Sequence, residues 1–378
     1  MNIIVKRENL LQALSFNIKS ISTRTAIPVL NNVLFDVGKN KLTLTSTNLE
    51  QSIITFIGIE NKDEWKCTIN LKNFYEIITN LNSDTINISL NDNIFYLSDG
   101  IHEVNLNTIP EDEFPKISYT SNKDNYFIKT KPYELSFAID KVSFATSKDQ
   151  NKAILTGVLI EIREKNIKFI GINGFRFSSI NINFEDIKFL GKENIVISRD
   201  SLDNLSDIIK SIDLKKDTYI YIYKLSSNQI LFEIENIKFI TRLMEGKYPD
   251  YEKIFPKTYS SSFEIQKEDL KNIIKLSLPF KFKKISKISI HTDPKENKVY
   301  FQSSLKEVGD IKSNIKSNIK GKEINVSFDT RYIMDFLNHT DGEKLYIELN
   351  GAESKKISKI TDTNLKNFTY LIMPLYER

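Results

Sequence analysis

The sequence predicts an α+β protein built from three similar modules, each with two helices packed on antiparallel sheets. Two observations support this fold class. An apolar strand that leads directly into an amphipathic helix occurs six times along the chain. Segments in which apolar and polar residues alternate lie between these units, and such alternation is typical of antiparallel strands that are covered on one face.

The six strand–helix units form three pairs, which divide the chain into thirds. The paired strands are marked by Val5 and Ile69, by Ile128 and Ile197, and by Ile265 and Phe328. A chain of 378 residues exceeds one ordinary hydrophobic core. The period breaks at residues 110–122 and 249–262, which hold Pro and small polar residues suited to connections. We therefore expect modules at 1–122, 123–255 and 256–378.

Alternating segments with polar turns between them predict five hairpins. They pair residues 33–37 with 41–45, 85–90 with 94–97, 158–162 with 167–170, 219–223 with 230–234, and 288–291 with 299–301. Each half-module is thus expected to hold one helix and about four antiparallel strands.

Three helices show a clear apolar period. One follows Pro132, a residue suited to the first turn of a helix. The apolar faces comprise Leu135, Ala138, Ile139 and Val142; Leu202, Leu205, Ile209 and Ile212; and Leu270, Ile273 and Ile274. On the last of these helices Lys267, Lys271 and Lys275 recur every four residues, so they are expected to form one cationic stripe.

Composition excludes several classes of protein. The net charge of +4 is mildly basic, and Lys is abundant everywhere, so the number of lysines does not itself indicate nucleic-acid binding. The single cysteine, Cys67, allows no internal disulfide and no cysteine-based zinc site, and we expect a buried thiol. Charged residues from Lys6 onward interrupt any secretory signal, and no apolar stretch is long enough for a membrane helix. We expect a cytoplasmic, nucleoid-associated protein.

No local motif indicates catalysis, a cofactor or a metal. The sequence contains neither a phosphate-binding glycine-rich loop nor a nucleophile elbow. His102, His291 and His339 fall in different modules without a second histidine at ligand spacing. The acidic run at 111–113 lies in a Pro-flanked joint and is interpreted as a solvated loop. We expect no enzyme and no cofactor, although a triad assembled from distant positions stays open.

Several stretches, in the same order along the chain, resemble the bacterial DNA sliding clamp, the β subunit of the DNA polymerase III holoenzyme. They are Arg7 to Leu11, Arg24 to Asn32, Thr47 to Glu50, Asn173 to Phe177, Glu245 to Tyr251 and Tyr370 to Leu375. The resemblance implies three clamp domains per chain and a head-to-tail ring of two chains, with helices lining the hole and a continuous sheet outside. It implies a processivity factor that encircles duplex DNA without reading its sequence. Its partners would be the replicative polymerase, the clamp loader and other replication or repair proteins.

Basic residues on the inner helices would attract phosphates without reading bases. The resemblance points to Arg24 and Arg199, and helical spacing adds the lysine stripe. The complete set of expected DNA contacts is Arg24, Lys148, Arg199, Lys267, Lys271 and Lys275.

The resemblance also implies one apolar pocket per chain, between the second and third modules, that receives short linear peptides. Its lining would comprise Leu155, Ile172, Gly174, Phe175, Arg176, Phe177, Pro249, Ile254, Ala352, Ser354, Met373, Pro374 and Leu375. Ile172, Asn173 and Phe175 stand where the family has Thr, Asp and His, so we expect a more apolar pocket. Arg176 is expected to anchor a polar or acidic group of the peptide.

Ring closure would join the first module of one chain to the third module of the other. The corresponding residues are Val104, Leu106, Leu278 and Phe280. Pro279 departs from the helical pattern expected there.

Two other functions remain open on the residues alone. One is a repeat-built scaffold that binds proteins without encircling DNA. The other is a nucleic-acid enzyme with a dispersed active site. The net charge also implies an exterior less negative than is common in the family.

Overall fold

The computed structural model describes residues 2–21, 26–61, 63–164, 166–188, 191–225, 228–282, 285–351 and 356–375. Backbone contacts divide the chain into two compact units. The first comprises Met1–Tyr133, Phe184–Phe189 and Asn204–Leu243, and the second comprises Glu134–Asn183, Leu190–Asp203 and Met244–Arg378.

The described residues of the first third form two α-helices and eight strands. In order these are β1 (Asn2–Lys6), α1 (Arg7–Asn17), β2 (Asn32–Gly38), β3 (Lys41–Thr47), β4 (Gln51–Gly58), β5 (Trp65–Asn70), α2 (Leu71–Asn80), β6 (Thr85–Asn91), β7 (Ile94–Ser98) and β8 (Glu103–Asn107).

The middle third repeats the strand–helix pattern. Its elements are β9 (Ile128–Thr130), α3 (Pro132–Val142), β10 (Gly157–Ile162), β11 (Ile167–Ile172), β12 (Arg176–Ile182), β13 (Asp186–Ile187), β14 (Glu193–Ser198), α4 (Arg199–Ser211), β15 (Ile220–Leu225), β16 (Gln229–Ile234) and β17 (Ile237–Arg242). Pro132 begins α3, as predicted. Helix α4 ends at Ser211, whose hydroxyl donates to the carbonyl of Ile208, so the predicted Ile212 lies just beyond the helix.

The last third follows the same order. Its elements are β18 (Ser261–Gln266), α5 (Lys267–Ser277), β19 (Lys281–Phe282), β20 (Ile285–Asp293), β21 (Lys298–Leu305), β22 (Gly309–Lys316), β23 (Lys320–Gly321), β24 (Ile324–Asp329), α6 (Thr330–Asn338), β25 (Lys344–Leu349), β26 (Ser358–Asp362) and β27 (Phe368–Ile372).

All described strand pairs are antiparallel, and the five predicted hairpins are confirmed. In the first unit a nine-stranded sheet runs β13-β9-β15-β16-β17-β4-β3-β2-β5. Its β17–β4 pair, with Phe239 opposite Ile53, joins the middle third to the first. In the second unit the sheet runs β14-β10-β11-β12-β27-β26-β25-β18-β23, and its β12–β27 pair joins the middle third to the last. Each joint is thus spanned by continuous sheet, which leaves fewer free edges.

Two smaller sheets complete the first and last thirds. Strands β1-β6-β7-β8 form one, and β19-β20-β21-β22, with β24 also paired to β20, form the other. In the first unit Phe95 of the small sheet contacts Phe35 of the large sheet at 5.1 Å and Phe74 of α2 at 5.4 Å between ring centroids. These rings hold helix and sheets together, because edge-to-face aromatic pairs bury large apolar areas.

In the last third the apolar sides of α5 and α6 enter a common core. Leu270 and Ile274 of α5 and Ile333 and Phe336 of α6 are buried. The Phe336 ring stacks on Tyr370 of β27 at 4.9 Å. The opposite sides of both helices therefore carry the polar residues.

Two minor expectations are also confirmed. Cys67 is buried, and burial, with a smaller contribution from the charge of Glu111, raises the pKa of its thiol to about 12. The acidic run Glu111–Glu113 is an exposed turn of 3-10 helix.

Candidate functional site

The tight turn between β11 and β12 positions the first predicted pocket residues. Asn173 Oδ1 accepts the backbone N–H groups of Phe175 at 2.9 Å and Arg176 at 3.0 Å. Gly174 has φ +90°, a conformation in which a side chain would be strained. The turn leaves Phe175 53% exposed at the surface of the second unit. Asn serves here as a turn-forming side chain, because its amide oxygen satisfies two backbone donors.

An apolar cluster of the second unit brings together four predicted pocket residues. Leu155, Ile172, Phe177 and Ile254 all belong to it, and Leu155 and Ile254 are only partly buried. The other members, which the sequence argument missed, are Ile154, Leu159, Ile170, Val196, Met244, Tyr248, Tyr251, Ile357 and Leu371. The cluster thus has a buried base and a partly open rim, an arrangement suited to apolar side chains of a ligand.

The C-terminal segment is attached to the same turn. Met373 donates its backbone N–H to the carbonyl of Phe175 at 2.8 Å, and Leu375 donates to the carbonyl of Ser327 at 2.7 Å. Pro374 between them is buried, whereas Met373 is half-buried. The Met373 side chain can therefore contact a ligand without loss of the backbone bond that holds the segment.

Pro249 lies beside the cluster. It is exposed and lines a cavity of about 380 Å³ together with Leu159, Val196 and Tyr251. Burial raises the pKa of the Tyr248 and Tyr251 hydroxyls, so both stay protonated at neutral pH. Ala352 and Ser354, the two remaining predicted residues, lie outside the described residues.

Arg176, expected to anchor a polar or acidic group of a peptide, is held by contacts within the second unit. Its side chain is buried, Nη1 pairs with Asp335 Oδ2 at 2.5 Å, and Nη2 donates to the carbonyl of Phe144. The guanidinium also lies 4.7 Å from the Tyr332 ring centroid. Nη1 and Nη2 are engaged in these contacts, so Arg176 supports the turn, whereas among the described residues its Nε has no hydrogen-bond partner.

A cationic and aromatic cleft adjoins the turn, and sequence reasoning missed most of it. Tyr332 stacks on Phe175 at 6.4 Å, and Lys152 Nζ lies 6.0 Å from the Phe175 centroid. The cleft measures about 470 Å³ and is also lined by Lys148 and Arg331. Helical spacing on α6 places Arg331 and Tyr332 outside the apolar face, but only the fold brings them next to Phe175.

Two of the predicted DNA contacts are brought together in the second unit. Lys148 and Arg199 line a cavity of about 340 Å³, and Lys148 is exposed. Arg199 begins α4 and pairs through Nε with Asp203 at 3.0 Å, which neutralises part of its charge. Arg24 lies outside the described residues.

The lysine stripe lies on α5, but its members differ. Lys267 is half-buried and its Nζ donates to the carbonyl of Thr340 at 2.5 Å. Lys275 is exposed and Lys271 is half-buried, and within the described residues their side chains have no hydrogen bond or ion pair. Lys271 and Lys275 are therefore the stripe members whose charge is available to a ligand.

Acidic residues reduce the net positive charge of helix α4. Helix α4 carries Asp200, Asp203 and Asp207 beside Arg199 and Lys210. Arg199 is paired with Asp203 as described, and Asp207 pairs with Lys19 at 3.0 Å. Between α4 and α5, the lysine side chains without a partner among the described residues are thus Lys271 and Lys275 of α5.

The predicted interface residues occupy two different settings. Val104 and Leu106 lie on β8, at the end of its sheet, and both side chains pack against the core of their own module. The outer backbone edge of β8, rather than these side chains, is available for pairing. Helix α5 ends at Ser277, before Pro279, which confirms the break in the helical pattern. Leu278 is 37% exposed, Phe280 is half-buried, and the unpredicted Leu276 is 56% exposed.

The described residues contain no group of three or more His, Cys, Asp or Glu side chains arranged to hold a metal ion. Among the described helices, none has the length and apolar character needed to cross a membrane.

Comparisons with known proteins agree with this architecture. Family models match the N-terminal domain of the DNA polymerase III beta subunit at residues 1–118, its central domain at 129–250 and its C-terminal domain at 252–376. The chain is 27% identical to the beta sliding clamp of Staphylococcus epidermidis over 386 residues, covering 99% of both chains. It is likewise 27% identical to that of Staphylococcus aureus over 388 residues, with the same coverage.

Solved structures show the same fold. The Bacillus subtilis DNA polymerase sliding clamp superposes with a TM-score of 0.91 at 23% identity, and the Pseudomonas aeruginosa DNA polymerase III subunit beta with 0.91 at 20% identity. Each comparison covers 100% of both chains. Three consecutive domain matches along nearly the whole chain therefore establish that this protein belongs to the DNA polymerase III beta subunit family.

Proposed function

We propose that the protein is a DNA sliding clamp, a processivity factor that encircles duplex DNA and tethers replication proteins to it. The observation that carries this proposal is the tandem match of three clamp domains, whose two joints are both spanned by continuous sheet. We place the modules at 1–122, 123–255 and 256–378. Continuous sheet across a joint supports a stiff frame, which a closed ring requires.

Ring closure in this proposal needs two chains. Strand β8 ends a sheet in the first third, and β22 ends another in the last third. Glu103, Asn105 and Asn107 are exposed along β8, and Lys312 and Lys316 are exposed along β22. Antiparallel pairing of β8 with the partner's β22 would cover both edges and place opposite charges together. Leu278 and the exposed Leu276 would add apolar contact.

Duplex DNA would be held by weak contacts to phosphates. The exposed Lys148, the partly neutralised Arg199 and the stripe on α5 supply these contacts, with Lys271 and Lys275 contributing most. Phosphate contacts do not depend on sequence, so the ring would move along DNA without stopping.

Partner proteins would bind through short linear peptides at the apolar cluster. Leu155 and Ile254 would form the adaptable, partly open side and Ile172 and Phe177 the base. Met373, half-buried and bonded through its backbone to Phe175, would add a further contact. Met and aliphatic side chains accommodate peptides of different sequence. The polymerase and the clamp loader are the partners that the family implies. In this role the protein acts by tethering and not by catalysis, in the cytoplasm at the nucleoid.

Retention on DNA of different topology tests encirclement directly. We expect the loaded protein to remain on nicked circular DNA and to slide off after linearisation. Equal retention on both forms would instead favour a scaffold that binds without encircling. Light scattering should give twice the chain mass of 43.8 kDa for a ring of two chains. Metal-dependent nuclease activity that survives stringent purification would favour an enzyme.

A further inference from the structure

The connection that follows the first third contains an extended segment whose backbone is unpaired. In residues 116–121, Lys116, Ser118 and Thr120 are exposed, whereas Ile117 and Tyr119 are half-buried. This alternation is the pattern of a strand that lies on an apolar surface. Among the described residues, however, the backbone N–H and C=O groups of 116–120 make no hydrogen bond.

The apolar surface beneath this segment belongs to the large sheet of the first unit. Ile117 and Tyr119 pack against a cluster whose buried members are Ile54, Tyr223, Leu231 and Ile240. Lys238 Nζ also lies 4.5 Å from the Tyr119 ring centroid. The segment is thus held by its side chains, which leaves its backbone available.

A cavity of about 700 Å³ lies beside the segment. It is lined on one side by residues 117–120, with Asn122 and Asn125, and on the other by residues 223–225 of β15. Strand β9 pairs with β15 only at Ile220, Tyr221 and Ile222. No described strand therefore lies beside residues 223–225 on the side of β9, and the cavity occupies that position.

Tyr223 provides a second, independent indication of a ligand. The residue is 4% exposed and lines the cavity, yet among the described residues its Oη has no hydrogen-bond partner. Burial, followed by the charge of Glu233, raises the pKa of Tyr223 to about 12. The hydroxyl is thus a protonated donor at neutral pH, and a buried donor without an acceptor is costly.

The charge of the cavity favours an acidic ligand. Lys224 is exposed among the lining residues, and none of the lining residues is acidic. The connection beside the cavity also carries the exposed Lys123 and Asp124, and Lys123 Nζ lies 5.6 Å from the Tyr221 ring centroid. The half-buried Glu233 carboxylate pairs with Lys238 at 3.4 Å, which leaves Lys224 as the charged residue of the lining.

We propose that this cavity is a second peptide-binding site, in which an extended segment of a partner protein adds as a strand between residues 116–120 and 223–225. The incoming strand carries alternating apolar and acidic side chains. Its backbone pairs with 116–120, its carbonyl groups approach the Tyr223 hydroxyl, and a carboxylate meets Lys224. This is β-strand addition at a free backbone edge. The site lies entirely in the first unit and does not involve the apolar cluster of the second unit or Met373.

The test uses the full chain and a displayed library of decapeptides in which apolar positions alternate with Asp, Glu or Thr. Enriched peptides are measured by fluorescence polarisation. Ser118→Pro removes one exposed backbone donor and should weaken binding about tenfold, whereas Ser118→Ala keeps the donor and should bind as wild type. Lys224→Glu should also weaken binding, and Lys39→Glu, in the β2–β3 turn, makes the same charge change outside the cavity and should not.

Tyr223→Phe keeps the aromatic ring and serves as a variant that is expected to fold. Because it removes an unsatisfied buried hydroxyl, it should leave the unfolding midpoint of the free protein unchanged or raised, while weakening peptide binding. Bound peptide should also slow hydrogen exchange at residues 116–120. The proposal is overturned if no peptide is enriched, if binding is insensitive to Ser118→Pro and Lys224→Glu, or if only Met373→Ala abolishes it. Tighter binding of a labelled oligothymidylate, lost in Lys224→Glu, would assign the cavity to nucleic acid and also overturn it.

Discussion

The lysine stripe on α5 supports a prediction in which two of its members behave differently from the third. Lys271 and Lys275 have no partner among the described residues, whereas Lys267 donates to the Thr340 carbonyl at 2.5 Å. Substitution of Lys271 or Lys275 by Ala should therefore change DNA binding alone. Substitution of Lys267 should change both DNA binding and stability.

The size of the electrostatic effect follows from counterion release. Each phosphate contact contributes about 0.9 to the slope of log K against log salt concentration, so one contact is worth about eightfold in affinity at 0.1 M salt. A ring of two chains loses two lysines for each substitution. Lys271→Ala should thus lower the slope by up to about 1.8, and the double variant Lys271→Ala/Lys275→Ala by up to about 3.6.

The size of the structural effect follows from the hydrogen bond that is lost. The Lys267 ammonium is half-buried, so removal of its bond to Thr340 should lower the free energy of unfolding by about 1 kcal/mol. Lys271→Ala and Lys275→Ala should leave the unfolding midpoint unchanged. The two measurements therefore separate charge from structure on a single helix.

Anisotropy of a labelled duplex, measured over a series of salt concentrations, gives the slope, and denaturant unfolding gives the stability. Lys39→Ala is the matched control, because Lys39 is exposed in a strand turn and not on a helix. An unchanged slope in the double variant would refute the assignment of α5 to the DNA interface. A stability loss in Lys271→Ala equal to that in Lys267→Ala would refute the distinction between them.

Three further predictions concern stability, ligand binding and reactivity. Burial raises the pKa of Asp362, but hydrogen bonds from Thr340 and from backbone amides outweigh burial and leave the pKa lowered. The stabilising effect of the ionised carboxylate should therefore be lost as the pH falls below about 4. Asp362→Asn should lower the free energy of unfolding by about 1–3 kcal/mol at pH 7, and in acid denaturation its stability should depend less on pH than that of the wild type. Met373→Ala should lower the affinity for polymerase-derived peptides by about tenfold or more, measured by fluorescence polarisation. Light scattering should still show the dimer, because only the Met373 side chain is removed. The Cys67 thiol, with its pKa raised to about 12, should resist a thiol reagent at pH 8 until the protein is unfolded.

Features that depend on local pattern were predictable from the sequence. The hairpins follow from period-two alternation, and α3 begins at Pro132 because proline suits the first turn. Helix α5 ends before Pro279, whose ring and missing N–H disfavour continuation. In each case the information lies within a few residues of the feature.

Features that depend on contacts between distant residues were not predictable. Arg176 appeared available until the fold placed Asp335 and the Phe144 carbonyl beside its guanidinium. The tether of Lys267 to Thr340 arises because the α6–β25 connection passes the start of α5. Neither contact has a signature in spacing, because both join residues far apart in the chain.

The limited supply of available charge has a consequence for mechanism. Arg199 of α4 is paired with Asp203, so Lys271 and Lys275 of α5, with the exposed Lys72 of α2, are helix cations whose side chains have no partner among the described residues, and each contact is worth only about fivefold at 0.15 M salt. Such contacts exchange rapidly and allow sliding, so they do not account for prolonged retention on DNA. If the ring closes as proposed, a charge reversal along the β8 edge, such as Glu103→Lys, should shorten residence on circular DNA more than loss of both α5 lysines does. The opposite ranking would mean that retention comes from charge and not from encirclement.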